Sequence, residues 1–112
     1  MKMDDKTYKI FIACPMHGLS EEEIVKNRLK ILEKVVKQYS EEIGDREVIL
    51  LENLWHKNVP AGSHRIIYLA ESIKLLPQAD LVYFAKGWEK AKGCNVEAKV
   101  CEQYGLNAAY EY

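Results

Sequence analysis

Ala85-Lys86-Gly87-Trp88-Glu89-Lys90-Ala91-Lys92-Gly93-Cys94-Asn95-Val96-Glu97 joins two segments of opposite character. Upstream, Ala79-Asp80-Leu81-Val82-Tyr83-Phe84-Ala85 reads as a buried strand, an apolar run preceded by an acidic residue. Downstream, residues 96–104 read as a helix, closed by Gly105 as its left-handed end. A glycine-punctuated loop between a buried strand and a helix is where open α/β sheets hold ligands. Gly87 and Gly93 are expected to expose backbone N–H groups, and the helix start adds partial positive charge. On this reading Glu97 falls in the first helical turn, where the dipole favours an ionised carboxylate. Such a group facing a cleft suits a nucleophile or an ion-binding residue.

Working outward, the same alternation repeats. Residues 1–7 are polar and are expected to form a loose N-terminal tail, with one domain over 8–112. Residues 8–13 read as the first strand, broken by Cys14-Pro15-Met16-His17-Gly18. Ser20 and Glu23 have the spacing of a capping box. A long helix follows to about Glu42, with Ile24, Ile31, Leu32, Val35, Val36, Tyr39 and Ile43 on one broad face and Gly44-Asp45 ending it. Residues 47–51 read as the second strand, and 52–62 as a loop carrying Trp55, His56 and Pro60. Ser63 is expected to cap a second helix running to Leu76, with Ile66, Ile67, Leu69, Ala70, Ile73 and Leu76 inward, stopped by Pro77. Residues 107–112 read as a short edge strand.

The order β-α-β-α-β-α-β implies a parallel sheet with right-handed crossovers. The predicted architecture is α/β, a three-layer flavodoxin-like (Rossmann-like) fold with a four-stranded parallel sheet of order 2-1-3-4. Its switch point lies between the first and third strands, so the turn 14–18 and the loop 86–93 are expected to face one crevice.

Composition narrows the partners. With 16 basic against 17 acidic residues and net charge −1, nothing points to a nucleic-acid polymer. A small anion remains compatible, because Lys86, Lys90 and Lys92 supply local charge. No apolar run approaches the roughly 20 residues of a membrane span. The charged start Met1-Lys2-Met3-Asp4-Asp5-Lys6 does not read as a signal peptide, and Cys14, Cys94 and Cys101 lack a disulfide-scaffold spacing. A cytoplasmic protein with reduced thiols is expected.

Read together, the first strand running into Pro15-Met16-His17-Gly18, the Ala79-Asp80 strand opening, Gly87-Trp88, Gly93 and Glu97 resemble the nucleoside 2-deoxyribosyltransferase-like family. The similarity is greatest to a short bacterial and phage branch of unassigned function. The resemblance implies N-glycosidic bond chemistry, deoxyribosyl transfer or hydrolysis, on a deoxynucleoside or its 5′-monophosphate. It implies Glu97 as the nucleophile beneath an oxocarbenium-like transition state. It also implies that Pro15, Met16, His17, Gly18, Gly87, Trp88, Gly93 and Asn95 line the ligand site, and that the protein forms a homo-oligomer. No metal or organic cofactor is called for. Two positions depart from the family pattern. Ser72, beside Glu71, stands where an assisting aspartate is common, and Ala91 where a phosphate-binding serine is found. These departures favour the alternative, a non-catalytic protein that binds or senses a nucleotide or nucleotide-sugar.

Other candidates carry competing readings. Cys14 and His17 form a C-x-x-H spacing, but no second ligand pair follows, so a buried Cys14 and a rim-exposed His17 are expected. Cys94 and Cys101 share a helix face and read as core. Trp88 either stacks on a base or covers the sheet end. Trp55 and His56 occupy the natural place for a lid or an interface anchor. Arg65 reads as a solvated helix residue. Asp80 and Asp45 read as turn residues.

Overall fold

In a computed structural model, which describes residues 6–51, 60 and 62–112, four strands and four α-helices alternate. They are β1 (Thr7–Ala13), α1 (Glu21–Gln38), α2 (Ser40–Ile43), β2 (Glu47–Leu51), α3 (Arg65–Leu75), β3 (Leu81–Phe84), α4 (Lys92–Tyr104) and β4 (Ala108–Tyr110). Short 3₁₀ turns follow α3 (Leu76–Gln78) and precede α4 (Trp88–Lys90). The sheet is fully parallel in the order β2-β1-β3-β4, as the alternation requires. Trp55, His56 and the rest of residues 52–59 lie outside the described residues. Among the described residues no helix is long and apolar enough to cross a membrane.

The central pair explains why both strands read as unbroken apolar runs. Ile10, Phe11, Ile12 and Ala13 pair with Leu81, Val82, Tyr83 and Phe84, and all eight are buried. Side chains alternate across the sheet. Ile10, Ile12, Cys14, Leu81, Tyr83 and Ala85 meet α1 and α2 on one face. Phe11, Ala13, Val82 and Phe84 meet α3 and α4 on the other. A carboxylate fixes the register at the far end. Asp80 Oδ2 accepts from the Lys9 amide at 2.7 Å, and the Asp80 amide donates to the Lys9 carbonyl at 2.7 Å. Asp80 is therefore the turn residue expected of it.

The first helix starts as its sequence dictates. The Glu23 amide donates to Ser20 Oγ at 3.1 Å, and Glu23 Oε1 accepts from the Ser20 amide at 2.9 Å. Its end differs from the expectation of one helix to Glu42. The axis breaks at Tyr39 (φ −108°, ψ 23°), whose side chain packs on the α1-side core, and α2 resumes at Ser40.

The second predicted helix needs more correction. Its cap is His64, whose Nδ1 accepts from the Ile66 amide at 3.1 Å, while Ser63 Oγ turns back to donate to the Pro60 carbonyl. Ile66 and Ile67 are 64% and 47% exposed and Ala70 is exposed, so none of them faces inward. The six apolar positions spread over about half of the helix circumference, wider than the stripe the sheet covers. At about 100° per residue, Leu69, Ile73 and Leu76 share one side, and Ile66, Ala70 and Ile67 fan away from it. Ser72 is buried instead.

Candidate active site

The carboxyl ends of β1 and β3 carry two connections that touch. The turn after β1 closes with the Leu19 amide donating to the Met16 carbonyl at 3.1 Å, with Gly18 at φ +81°. A left-handed third residue is what a type II turn demands. Gly87, after β3, is also left-handed at φ +91°. A Cβ placed on Gly87 would lie 3.4 Å from Pro15 Cγ, in van der Waals contact. The Ala85 amide donates to the Ala13 carbonyl at 2.9 Å, carrying the β1–β3 pairing to the very end of the strands. The two predicted site segments therefore share one edge of the sheet.

The loop after β3 is not the open glycine loop the sequence suggests. Residues 88–90 coil into a 3₁₀ turn, and the Trp88, Lys90 and Ala91 amides donate to the carbonyls of Ala85, Gly87 and Trp88. Their N–H groups are spent within the loop. Helix α4 begins at Lys92 and not at Val96, so Gly93 is a helical residue without a positive φ. Its missing Cβ would lie 3.8 Å from Leu69 Cδ1, which places the start of α4 against α3. The first amides of α4 have no intrahelical partner and remain as donors.

This earlier start changes the role of Glu97. It stands in the second turn of α4, where the dipole has little hold, and it is 6% exposed. Burial pushes its carboxyl up to about 7, and the Arg28 guanidinium opposes that rise. The expected dipole-favoured carboxylate is thus corrected to a carboxyl poised between its two forms near neutral pH. Among the described residues no hydrogen bond reaches it.

Arg28 is the buried charge that sequence reading missed. It is 8% exposed and comes from α1 on the opposite face of the sheet. Nη2 lies 3.6 Å from Met16 Sδ, and the guanidinium opposes the rise that burial imposes on the Cys14 thiol. Its Nε is buried without a partner. The signal was present: Ile24, Arg28, Ile31 or Leu32, and Val35 follow helical spacing, so a guanidinium stands inside an apolar stripe.

The remaining predicted residues divide. Pro15 and Met16 are half-buried at the strand ends, and His17 and Gly18 are exposed. Trp88 meets Phe84, Tyr110 and Tyr112 edge-on or tilted at 5.2–5.8 Å between ring centroids, so it covers the sheet end. Asn95 is exposed and ties the connection to the helix start, donating to the Glu89 and Ala91 carbonyls at 2.8 and 2.9 Å. Two residues from Glu97, it points to the other side of α4. Cys14, Cys94 and Cys101 are buried as expected, and burial pushes Cys94 up to about 12 and Cys101 to about 11. Among the described residues no three His, Cys, Asp or Glu side chains gather as a metal site.

The geometry defines an α/β domain with a parallel four-stranded sheet and with Glu97 and Arg28 both buried. Residues 8–110 match the family described as Domain of unknown function (DUF4406), and the chain belongs to that family. No curated protein and no solved structure matches it at a significant level.

Proposed function

We propose that the protein carries out N-glycosidic bond chemistry on a deoxynucleoside or deoxynucleoside 5′-monophosphate, with Glu97 as nucleophile. The observation that supports this reading is Glu97 itself, a buried carboxyl without a hydrogen bond among the described residues, above the carboxyl ends of β1 and β3. In its ionised form it attacks the anomeric carbon. A C–O bond to Glu97 forms as the C–N bond breaks, and the base nitrogen keeps the electron pair and takes a proton from solvent. Water, or a second base, then displaces the carboxylate and restores it. Water delivers hydroxyl to the sugar and releases its proton. The first amides of α4 and the turn 15–18 lie where sugar or phosphate oxygens would be held. The ligand is a small molecule rather than a nucleic-acid polymer, and the three buried thiols suit a cytoplasmic protein. Homo-oligomeric assembly is part of the same proposal.

One observation favours the binding-protein alternative. Among the described residues no second carboxylate acts on Glu97, and Glu71 is engaged by Lys74 at 2.7 Å. An acid for the leaving base is therefore not supplied by Glu71. The deciding test incubates the protein with deoxynucleosides, ribonucleosides and their 5′-monophosphates and follows free base by chromatography. Base released by the wild type and not by Glu97→Gln supports glycosidic chemistry. Ligand-induced thermal shifts without any base release would replace it with the binding reading.

A further inference from the structure

Helix α1 carries two stripes at helical spacing, and the sheet uses one of them. Ile24, Arg28 and Val35 are buried, and Ile31 packs against the same core. Val25, Leu29, Leu32 and Val36 form the second stripe, spaced i, i+4, i+7, i+11 and turned about 100° around the helix from the first. Val25 and Leu29 are 46% and 53% exposed, and Leu32 and Val36 are half-buried. Beyond this stripe, on the side away from the sheet, run Glu22, Lys26, Glu33 and Lys37, all exposed. Among the described residues none of these four is in an ion pair.

The order of these eight residues fits a second copy of the helix running the other way. In a twofold antiparallel pair, each flank meets the same flank of its partner, and every contact occurs twice. A pair centred near residue 30 sets Glu22 against Lys37 and Lys26 against Glu33 of the other copy, while Val25 meets Val36 and Leu29 meets Leu32. A parallel pair in register would instead bring the charged flank against the side of α1 that packs on the sheet, where Arg28 and Val35 are buried. The alternation of sign along the flank carries no net charge, so it does not suit a uniformly charged surface such as a nucleic acid or an anionic membrane.

We propose that Val25, Leu29, Leu32 and Val36 are the docking surface for a second copy of this chain, with α1 packing antiparallel on α1 of the partner and Glu22, Lys26, Glu33 and Lys37 setting the register. This gives the homo-oligomer of the functional reading a surface. It rests on α1 and not on Glu97, so association and base release can fail separately. One helix from each copy makes a small interface, and the association is expected to be reversible.

The test is sedimentation equilibrium of the full-length protein without ligand, at chain concentrations up to about 1 mM, with circular dichroism confirming the fold of each variant. Wild type is expected to follow a monomer–dimer equilibrium. Leu29→Glu places a charge in the apolar contact and is expected to weaken association by about 100-fold or more. Should it fail to fold, Val25→Glu carries the same comparison. Lys26→Glu and Glu33→Lys each set like charges against one another across the pair, and each is expected to weaken it by about fivefold or more. The double variant restores opposite charges between the copies and is expected to return to within about threefold of wild type. It keeps the like-charge spacings that each swap creates within α1, with Glu22 and with Lys37, so its recovery reports contacts between copies. A wild type that stays monomeric throughout, or a folded Leu29→Glu that associates as wild type does, overturns the proposal. A double variant no stronger than the single ones also overturns it, because the pair would not be antiparallel in this register.

Discussion

Glu23 and Glu97 both stand near a helix start, and they are opposites. Glu23 lies in the first turn of α1, exposed, accepting from the Ser20 amide at 2.9 Å, and its hydrogen bonds to Ser20 hold it below the usual carboxylate range. Glu97 lies one turn further into α4, buried and without such bonds, and its carboxyl is pushed up to about 7. A helix start favours a carboxylate only where amides and water can reach it. One turn inward and under the sheet edge, desolvation wins. The first arrangement stabilises the fold, and the second holds a desolvated carboxyl.

The sharpest way to break this comparison is the pH dependence of stability. The folded midpoint of Glu97 lies above its unfolded value, so the folded state holds the proton more tightly. Its contribution is fully present below about pH 4.5 and is lost as pH rises through about 7. The difference corresponds to about 3 kcal/mol between those limits. Denaturant unfolding across pH 4.5–8 should show Glu97→Gln gaining on the wild type by that order as pH rises. Glu23→Gln should show the reverse sign below that window, because its midpoint is lowered and its contribution is lost as pH falls below about 4.5. Parallel wild-type and Glu97→Gln profiles would mean that the carboxyl is not desolvated in solution.

The sequence made the strands and their order legible, because apolar runs flanked by Pro15, Gly44, Pro77 and Gly105 leave few alternatives. It also placed Glu97, Pro15, Met16 and Gly87 at one edge of the sheet. It misjudged where α4 starts, because Gly93 carries the same letter whether it bends a loop or lets two helices touch. The contact with Leu69 that decides between these is a tertiary fact. Arg28 was harder to read because cations recur all along α1, and only packing against the sheet separates the buried one from the rest. The inward face of α3 was not separable, since apolar residues spread over about half of its circumference and only the sheet selects a side.

Gly87→Ala tests the contact between the two connections. A side chain at φ +91° is strained by roughly 1–2 kcal/mol, with its Cβ in contact with Pro15. Thermal or denaturant unfolding should register that loss, and an unchanged midpoint would mean that the loop relaxes at no cost. Ser20→Ala removes the acceptor for the Glu23 amide and is expected to cost about 1 kcal/mol. A loss under a few tenths would show that the capping box contributes little to the first helix.

The smallest expected effect completes the set of carboxylates. Glu71 sits beside Ser72, where the family resemblance leads one to look for a second acid. Its partner is Lys74, three residues along an exposed face of α3, and the two side chains are 22% and 70% exposed. Solvent screens such a pair, so Glu71→Gln should change stability by less than about 0.5 kcal/mol. If the ion pair describes its whole role, the variant should also leave the Glu97 titration and any base release unchanged. A fall in base release with Glu97 titrating normally would identify Glu71 as the missing proton donor, breaking its pair with Lys74 when substrate binds. The division into one buried, desolvated carboxyl and two partnered ones would then fail at Glu71, and the case for a non-catalytic binding protein would lose its main support.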